Sequence, residues 1–378
     1  MRKEYLMTAG PTPVPEKVRV AEAQPIIYHR AKEHREIFKR VSENLKSIFK
    51  TQNTVLTFTS SGTGAMEGAV VNTLSAGDKV LVVRGGKFSE RWSEICVAYG
   101  IEVDNIDVEW GDIAAPGLVK EYLDKEPGIR AFFSTLCETS TGTLFPIKEY
   151  GELIKGRDNT IFVVDAISGL GACDIEVDKW GVDICVCGSQ KALMLPPGLG
   201  FASVSEKAWG LVGSSRLPKF YFNFEKARSS LEKGDTPFTP AISLIIAMDA
   251  SLKLLGEEGI GEILERHSLL ASATRAGVQA LGLELFSKYP ANTVTAIKVP
   301  EGIDGSKLID VLFYKYGVKV AGGQSQLKGK IFRIAHLGYM GQFDVIIAIT
   351  ATELALKDMG YGVEIGAGVK AAEEVLAG

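Results

Sequence analysis

Between Glu33 and Phe49 the apolar residues Ile37, Phe38, Val41, Leu45, Ile48 and Phe49 return at helical spacing and predict one amphipathic helix. Short apolar runs follow at Val55 to Phe58, Lys79 to Val83, Arg130 to Ser134, Ile161 to Val164 and Asp183 to Cys187. They alternate with helix-like segments such as Ala65 to Leu74, Ser89 to Tyr99 and Lys148 to Ile154. Runs rich in β-branched residues and separated by crossover helices predict an α/β fold: a large domain whose mostly parallel sheet is covered by helices on both faces. Ligands of such sheets collect at the carboxyl ends of the strands. After about Glu257 the texture changes. Gly261 to Leu281 reads as a long helix, Thr293 to Val299 as a strand, Ser306 to Tyr316 as a helix, Lys330 to Ile334 as a strand and Phe343 to Leu356 as a helix. This places an N-terminal arm and the large domain over residues 1–259, and a smaller C-terminal α+β domain over residues 260–378.

Composition narrows the class without naming a chemistry. The chain has 378 residues, 46% hydrophobic and 23% charged, which is ordinary for a globular protein with ample core. Its 42 Lys and Arg stand against 46 Asp and Glu, and the basic residues are scattered, so nucleic acid is not an expected partner. The opening MRKEYLMTAGPTPVP lacks a signal-peptide core, and Pro11, Pro13 and Pro15 forbid a helix there. The richest apolar run, Ala241 to Leu255, is broken by Asp249 and Lys253 and is too short for a bilayer. A cytoplasmic protein without a membrane partner is expected. Cys96, Cys137, Cys173, Cys185 and Cys187 form no CxxC pair and read as reduced thiols, the last two in a buried strand. His29, His34, His267 and His336 lack metal-ligand spacing, so no metal is expected.

The chemistry concentrates in Ile161 to Phe201. Asp165 stands at the carboxyl end of one apolar run and Lys191 just past the end of the next, so both side chains can reach one crevice above the sheet. A carboxylate that keeps a pyridine nitrogen protonated and a lysine that forms a Schiff base with an aldehyde are the pair that pyridoxal phosphate chemistry requires. Singly, Asp165 would read as a strand-end cap and Lys191 as a solvated surface residue. Together, followed by the Pro196-Pro197-Gly198 turn, they favour pyridoxal 5'-phosphate. Upstream, Thr59 to Ala65 (TSSGTGA) lies between a strand and a helix. Small residues there admit an anion to backbone N–H groups, and Ser61 and Thr63 add hydroxyl donors; by itself the stretch would be an ordinary helix cap.

On these segments the chain resembles the class V, fold-type I pyridoxal-phosphate aminotransferases, in the serine-pyruvate and alanine-glyoxylate aminotransferase group, over nearly its whole length. AGPTPVP is similar to the group's opening turn, SSGTGAMEGAVVN to its phosphate loop, CETSTGTLFP to its Glu-Ser-Ser-Thr-Gly segment, VDAISGLG to its aspartate strand, GSQKAL to its lysine loop and KIFRIAHLG to its substrate-arginine strand. The resemblance implies that Lys191 is the Schiff-base lysine and proton carrier and that Asp165 holds the pyridine nitrogen. It further implies that Ile167 packs beneath the ring, that Ser61, Gly62, Thr63 and Gln190 bind the phosphate, and that Thr139 donates a hydrogen bond to the cofactor. Phe88 stands where the group usually has a stacking aromatic, often Trp; Trp92, one turn on, is expected in the core. A buried strand arginine needs a charged ligand or a paired acid, and for an arbitrary one a structural salt bridge would be the reading; the resemblance instead implies that Arg333 meets the substrate α-carboxylate, with backbone near Gly10 assisting. Gly234 to Leu244 resembles the segment that reaches the neighbouring subunit's phosphate site, through Thr236 or Thr239; the alternative is that both cap the helix starting near Ile242. A homodimer with shared active sites follows, with Tyr28 and His29 near the interface.

The expected activity is transfer of an amino group from serine, alanine or aspartate to glyoxylate or pyruvate by a ping-pong mechanism. Alternatives are a phosphoserine- or phosphonate-type transaminase, which His336 near Arg333 leaves open, and a hydrogenase-associated partner subunit. A cysteine desulfurase is disfavoured, because no cysteine follows Cys187.

Overall fold

The computed structural model describes residues 3–378. Its large sheet has the strands β1 (Thr54–Thr59), β2 (Lys79–Arg84), β3 (Glu102–Asp107), β4 (Ile129–Thr135), β5 (Ile161–Asp165), β6 (Ile184–Gly188) and β7 (Leu199–Val204) in the order β1-β7-β6-β5-β4-β2-β3. The pairs β2/β3, β2/β4, β4/β5 and β5/β6 are parallel; β7 runs antiparallel to β6 and β1. Side-chain alternation splits the central strands between two cores. Phe162, Val164, Cys185 and Cys187 face the layer that includes helix Lys32–Phe49. Val163, Ile184 and Val186 face the layer that includes helix Gly62–Thr73. That second helix is buried along nearly its whole length, so its sequence is apolar all round instead of amphipathic.

A third core gathers helices Ile260–Ala280, Gly305–Tyr314 and Gln342–Asp358 against a three-stranded antiparallel sheet of Val294–Lys298, Ile331–Ala335 and Ala321–Gly322. The N-terminal arm joins it: Tyr5–Leu6 pairs in parallel with Val318–Lys319, and Met7 is buried there. The expected helices and strands are present with small shifts at their ends. Among the elements not foreseen from the sequence are β3, β7, the helices Pro116–Lys125, Glu206–Val212, Phe224–Leu231 and Ala367–Ala377, and the helix Glu16–Glu22, which starts directly after Pro15. Among the described residues no helix is long and apolar enough to cross a membrane.

Candidate active site

Asp165 is the last residue of β5, and Lys191 follows β6 by three residues, so the parallel pairing of these strands delivers both to one end of the sheet. Both line a cavity of about 240 Å³. Asp165 is only 4% exposed, and its Oδ1 accepts the Ile167 N–H at 2.8 Å. Burial pushes its carboxyl up to about 7, against the opposing pull of that N–H; Glu138 adds to the rise, and Arg91 and Lys191 oppose it. Lys191 is 8% exposed and donates from Nζ to the Ala9 carbonyl. Burial brings its ammonium down to about 8. The loop is pinned from the arm, where Thr12 Oγ1 donates to the Lys191 carbonyl at 2.9 Å. Gly10, at φ +126°, passes so close that a β-carbon would lie 2.5 Å from Lys191 Cε, so only glycine fits this wall.

The opposite side of the cavity is the N-terminus of helix Gly62–Thr73. Ser61 occupies its cap position without making a side-chain cap bond, so the ordinary-cap reading fails. Gly64 N–H is bonded to the Ser61 carbonyl, while those of Gly62 and Thr63 have no acceptor inside the helix. Gln190 lines the same space with a buried amide oxygen that has no partner. Ile167 fills the place of a Gly62 side chain, its Cδ1 2.4 Å from where a β-carbon would be.

Phe88 also lines the cavity, its ring centroid 6.0 Å from Lys191 Nζ. Glu138 fixes it from behind by accepting the N–H groups of Phe88 at 3.0 Å and Ser89 at 2.7 Å. Trp92 is fully buried against Phe133, as expected of a core residue. Arg91, which the sequence did not single out, faces the cavity, with Nη1 donating to Thr63 Oγ1 at 3.2 Å. Phe88 precedes the helix Glu90–Ala98 and Arg91 is its second residue, so no helical spacing links the two and the sequence carried no local signal for Arg91. Thr139 lines the cavity with Oγ1 3.3 Å from Ser168 Oγ.

Arg333 is 5% exposed, and among the described residues no carboxylate lies within ion-pair distance of it. Burial lowers it to about 10. It donates from Nε and Nη2 to the Gly322 carbonyl and from Nη1 to the Thr139 carbonyl at 2.7 Å, so it stands behind Thr139 instead of lining the cavity directly. His336 departs from expectation. Its Nε2 lies 2.9 Å from Thr295 Oγ1 and its Nδ1 3.2 Å from the Asn292 carbonyl, and burial lowers it to about 3. A neutral, sequestered imidazole offers nothing to a second phosphate.

Thr236 and Thr239 do not enter this chain's cavity, and they do not cap helix Ile242–Glu258 either. Thr236 Oγ1 donates to the Phe238 carbonyl, and Thr239 is exposed. Tyr28 is exposed and packs edge-on against His29. All five cysteines are buried, and burial raises Cys96 and Cys173 to about 12, the opposite of a reactive thiolate.

Residues 4–340 match the family aminotransferase class-V. The chain belongs to the class V aminotransferases. An uncharacterized aminotransferase of Methanocaldococcus jannaschii is 46% identical over 99% of this chain and 98% of its own length. Serine–glyoxylate aminotransferase of Hyphomicrobium methylovorum is 39% identical over 98% and 94% of the two chains. The crystal structure of ureidoglycine–glyoxylate aminotransferase from Bacillus subtilis superposes with a TM-score of 0.94 at 27% identity, covering 100% of this chain and 99% of that one. This aminotransferase is therefore a transaminase, and its class implies pyridoxal phosphate. The cavity fits that group: a buried lysine amine, a buried carboxylate without a counter-ion, and unspent N–H donors at the helix N-terminus.

Proposed function

We propose that this aminotransferase holds pyridoxal 5'-phosphate in the cavity and moves the amino group of serine, alanine or aspartate to a 2-oxo acid such as glyoxylate or pyruvate. One observation carries the reading: Asp165 and Lys191 share a cavity, both buried, with acidities brought from opposite sides toward neutrality. When bound, the cofactor supplies an aldehyde that bonds amines and an electron-poor ring that delocalises negative charge. Asp165 would gain from the protonated ring nitrogen the counter-charge it lacks. Ser61, Gly62, Thr63 and Gln190 would hold the phosphate, Phe88 and Ile167 would pack on the ring, and Thr139 would donate to it. Lys191 Nζ, lowered to about 8, is partly neutral near that pH, so it can accept a proton and return it.

Arg333 spends three of its five N–H groups on carbonyls, which leaves one on each terminal nitrogen, a fork for an α-carboxylate. The Gly10 backbone would assist. Thr236 or Thr239, both outside this chain's cavity, would serve that of a second copy in a homodimer. The names of the Hyphomicrobium and Bacillus proteins favour glyoxylate as acceptor. Initial rates over a grid of donor and acceptor concentrations test the reading. Parallel double-reciprocal lines are expected for at least one of the three donors with glyoxylate or pyruvate. Intersecting lines, or no turnover with any of these donors, would overturn it.

A further inference from the structure

We propose that Arg91 recognises the cofactor's phosphate, an inference that rests on the reading of the cavity given above. The cations that line the cavity among the described residues are Lys191 and Arg91. Lys191 would be engaged by the aldehyde, and Arg333 stands behind Thr139. A phosphate dianion at the helix N-terminus would then find neutral N–H donors and one full positive charge, that of Arg91.

The surroundings of Arg91 keep that charge available. Nearby cations are paired: Arg84 with Asp107, and Lys87 with Glu90 and Glu94. The two acids on Arg91's own helix thus go to Lys87, and no described carboxylate lies within ion-pair distance of Arg91. Its guanidinium carbon sits 5.2 Å from the Phe88 ring centroid, which orients the group without neutralising it. Its Nη1 donates to Thr63 Oγ1 at 3.2 Å, so the Thr63 hydroxyl, with its oxygen occupied as acceptor, turns its own O–H outward as a donor. Arg91 would therefore act twice: as a planar, permanently charged fork suited to phosphate, and by orienting a hydroxyl already in the cradle.

Pyridoxal, which lacks the phosphate, separates this role from its rivals. Protein stripped of cofactor is titrated with pyridoxal phosphate and with pyridoxal by visible absorbance, for wild type, Arg91→Met and Arg91→Lys, with thermal unfolding as a control for folding. Arg91→Met should bind pyridoxal phosphate on the order of 10- to 100-fold more weakly and pyridoxal within about twofold of wild type, with Arg91→Lys between. Inorganic phosphate should compete with pyridoxal phosphate less well in Arg91→Met than in wild type. Equal losses for both ligands would make Arg91 a support for Phe88 or Asp165 and overturn the proposal. So would unchanged cofactor binding with a raised KM for every amino donor, which would assign Arg91 to the substrate carboxylate. If Arg91→Met does not fold, an Arg91→Lys protein that binds both ligands like wild type overturns it. Wild type that binds neither ligand would instead remove the cofactor reading itself.

Discussion

Asp165 and Asp235 are both buried carboxylates, yet their surroundings move them in opposite directions. Burial would raise Asp235, but the Thr236 N–H together with Arg30 at 2.7 Å and Arg35 at 3.3 Å hold it below the usual carboxylate range. Asp165 has one N–H and no ion pair, and burial raises it to about 7. The first cluster ties the segment after residue 234 to the start of helix Lys32–Phe49, and its charges are matched inside the chain. The second leaves charge unmatched, which costs stability and is retained where a ligand can complete it.

The difference has a sign that pH reveals. Between the ordinary 3.8 and about 7 the folded chain keeps on Asp165 a proton that the unfolded chain has released, so this residue lowers stability as pH rises through that window. Lys191, lowered from 10.5 to about 8, works the other way: it binds fewer protons folded than unfolded, and stability rises with pH between those values. Asp235, being lowered, contributes stability above the ordinary carboxyl value and loses it as pH falls.

Substitutions can break this contrast. The largest effect is expected for Lys191→Ala, with transamination falling on the order of 10⁴-fold or more, read by single-turnover product release. Asp165→Asn comes next. Activity should fall by roughly 10²- to 10⁴-fold, while the cofactor-stripped protein should gain about 2–4 kcal/mol at pH 7.5 in denaturant titration, a gain that vanishes toward pH 4. Arg333→Ala should raise the donor KM by roughly 10- to 100-fold, more than it lowers kcat; an unchanged KM would remove it from substrate binding. Asp235→Asn should show the reverse of Asp165: about 1–2 kcal/mol lost at pH 7, discounted for half-exposed arginine partners, and a loss that shrinks as pH falls below the ordinary carboxyl value.

The sequence was most legible where burial is complete. β5 (IFVVD) and β6 (ICVCG) are apolar on both faces, which makes a parallel central strand a continuous hydrophobic run, and Asp165 and Lys191 mark where those runs stop. β7 (LGFASV) is equally buried but is built from Gly200, Ala202 and Ser203, which carry little apolar signal. The edge strand β3 (EVDNID) is mostly polar because half of it faces solvent. His336 was drawn toward Arg333 by closeness in sequence, although residues three apart on extended chain face opposite sides. Arg91 was hidden because nothing local says which face of its helix meets a cavity made by β5, β6 and the arm.

The most direct test follows the visible absorbance of the cofactor-loaded protein as a single amino acid is added with no 2-oxo acid present. With serine, alanine or aspartate the band should convert, one equivalent of the matching 2-oxo acid should appear per cavity, and glyoxylate should restore the band. A band and product yield that stay unchanged with all three donors would contradict the assignment of Asp165 and Lys191 to small-amino-acid transamination.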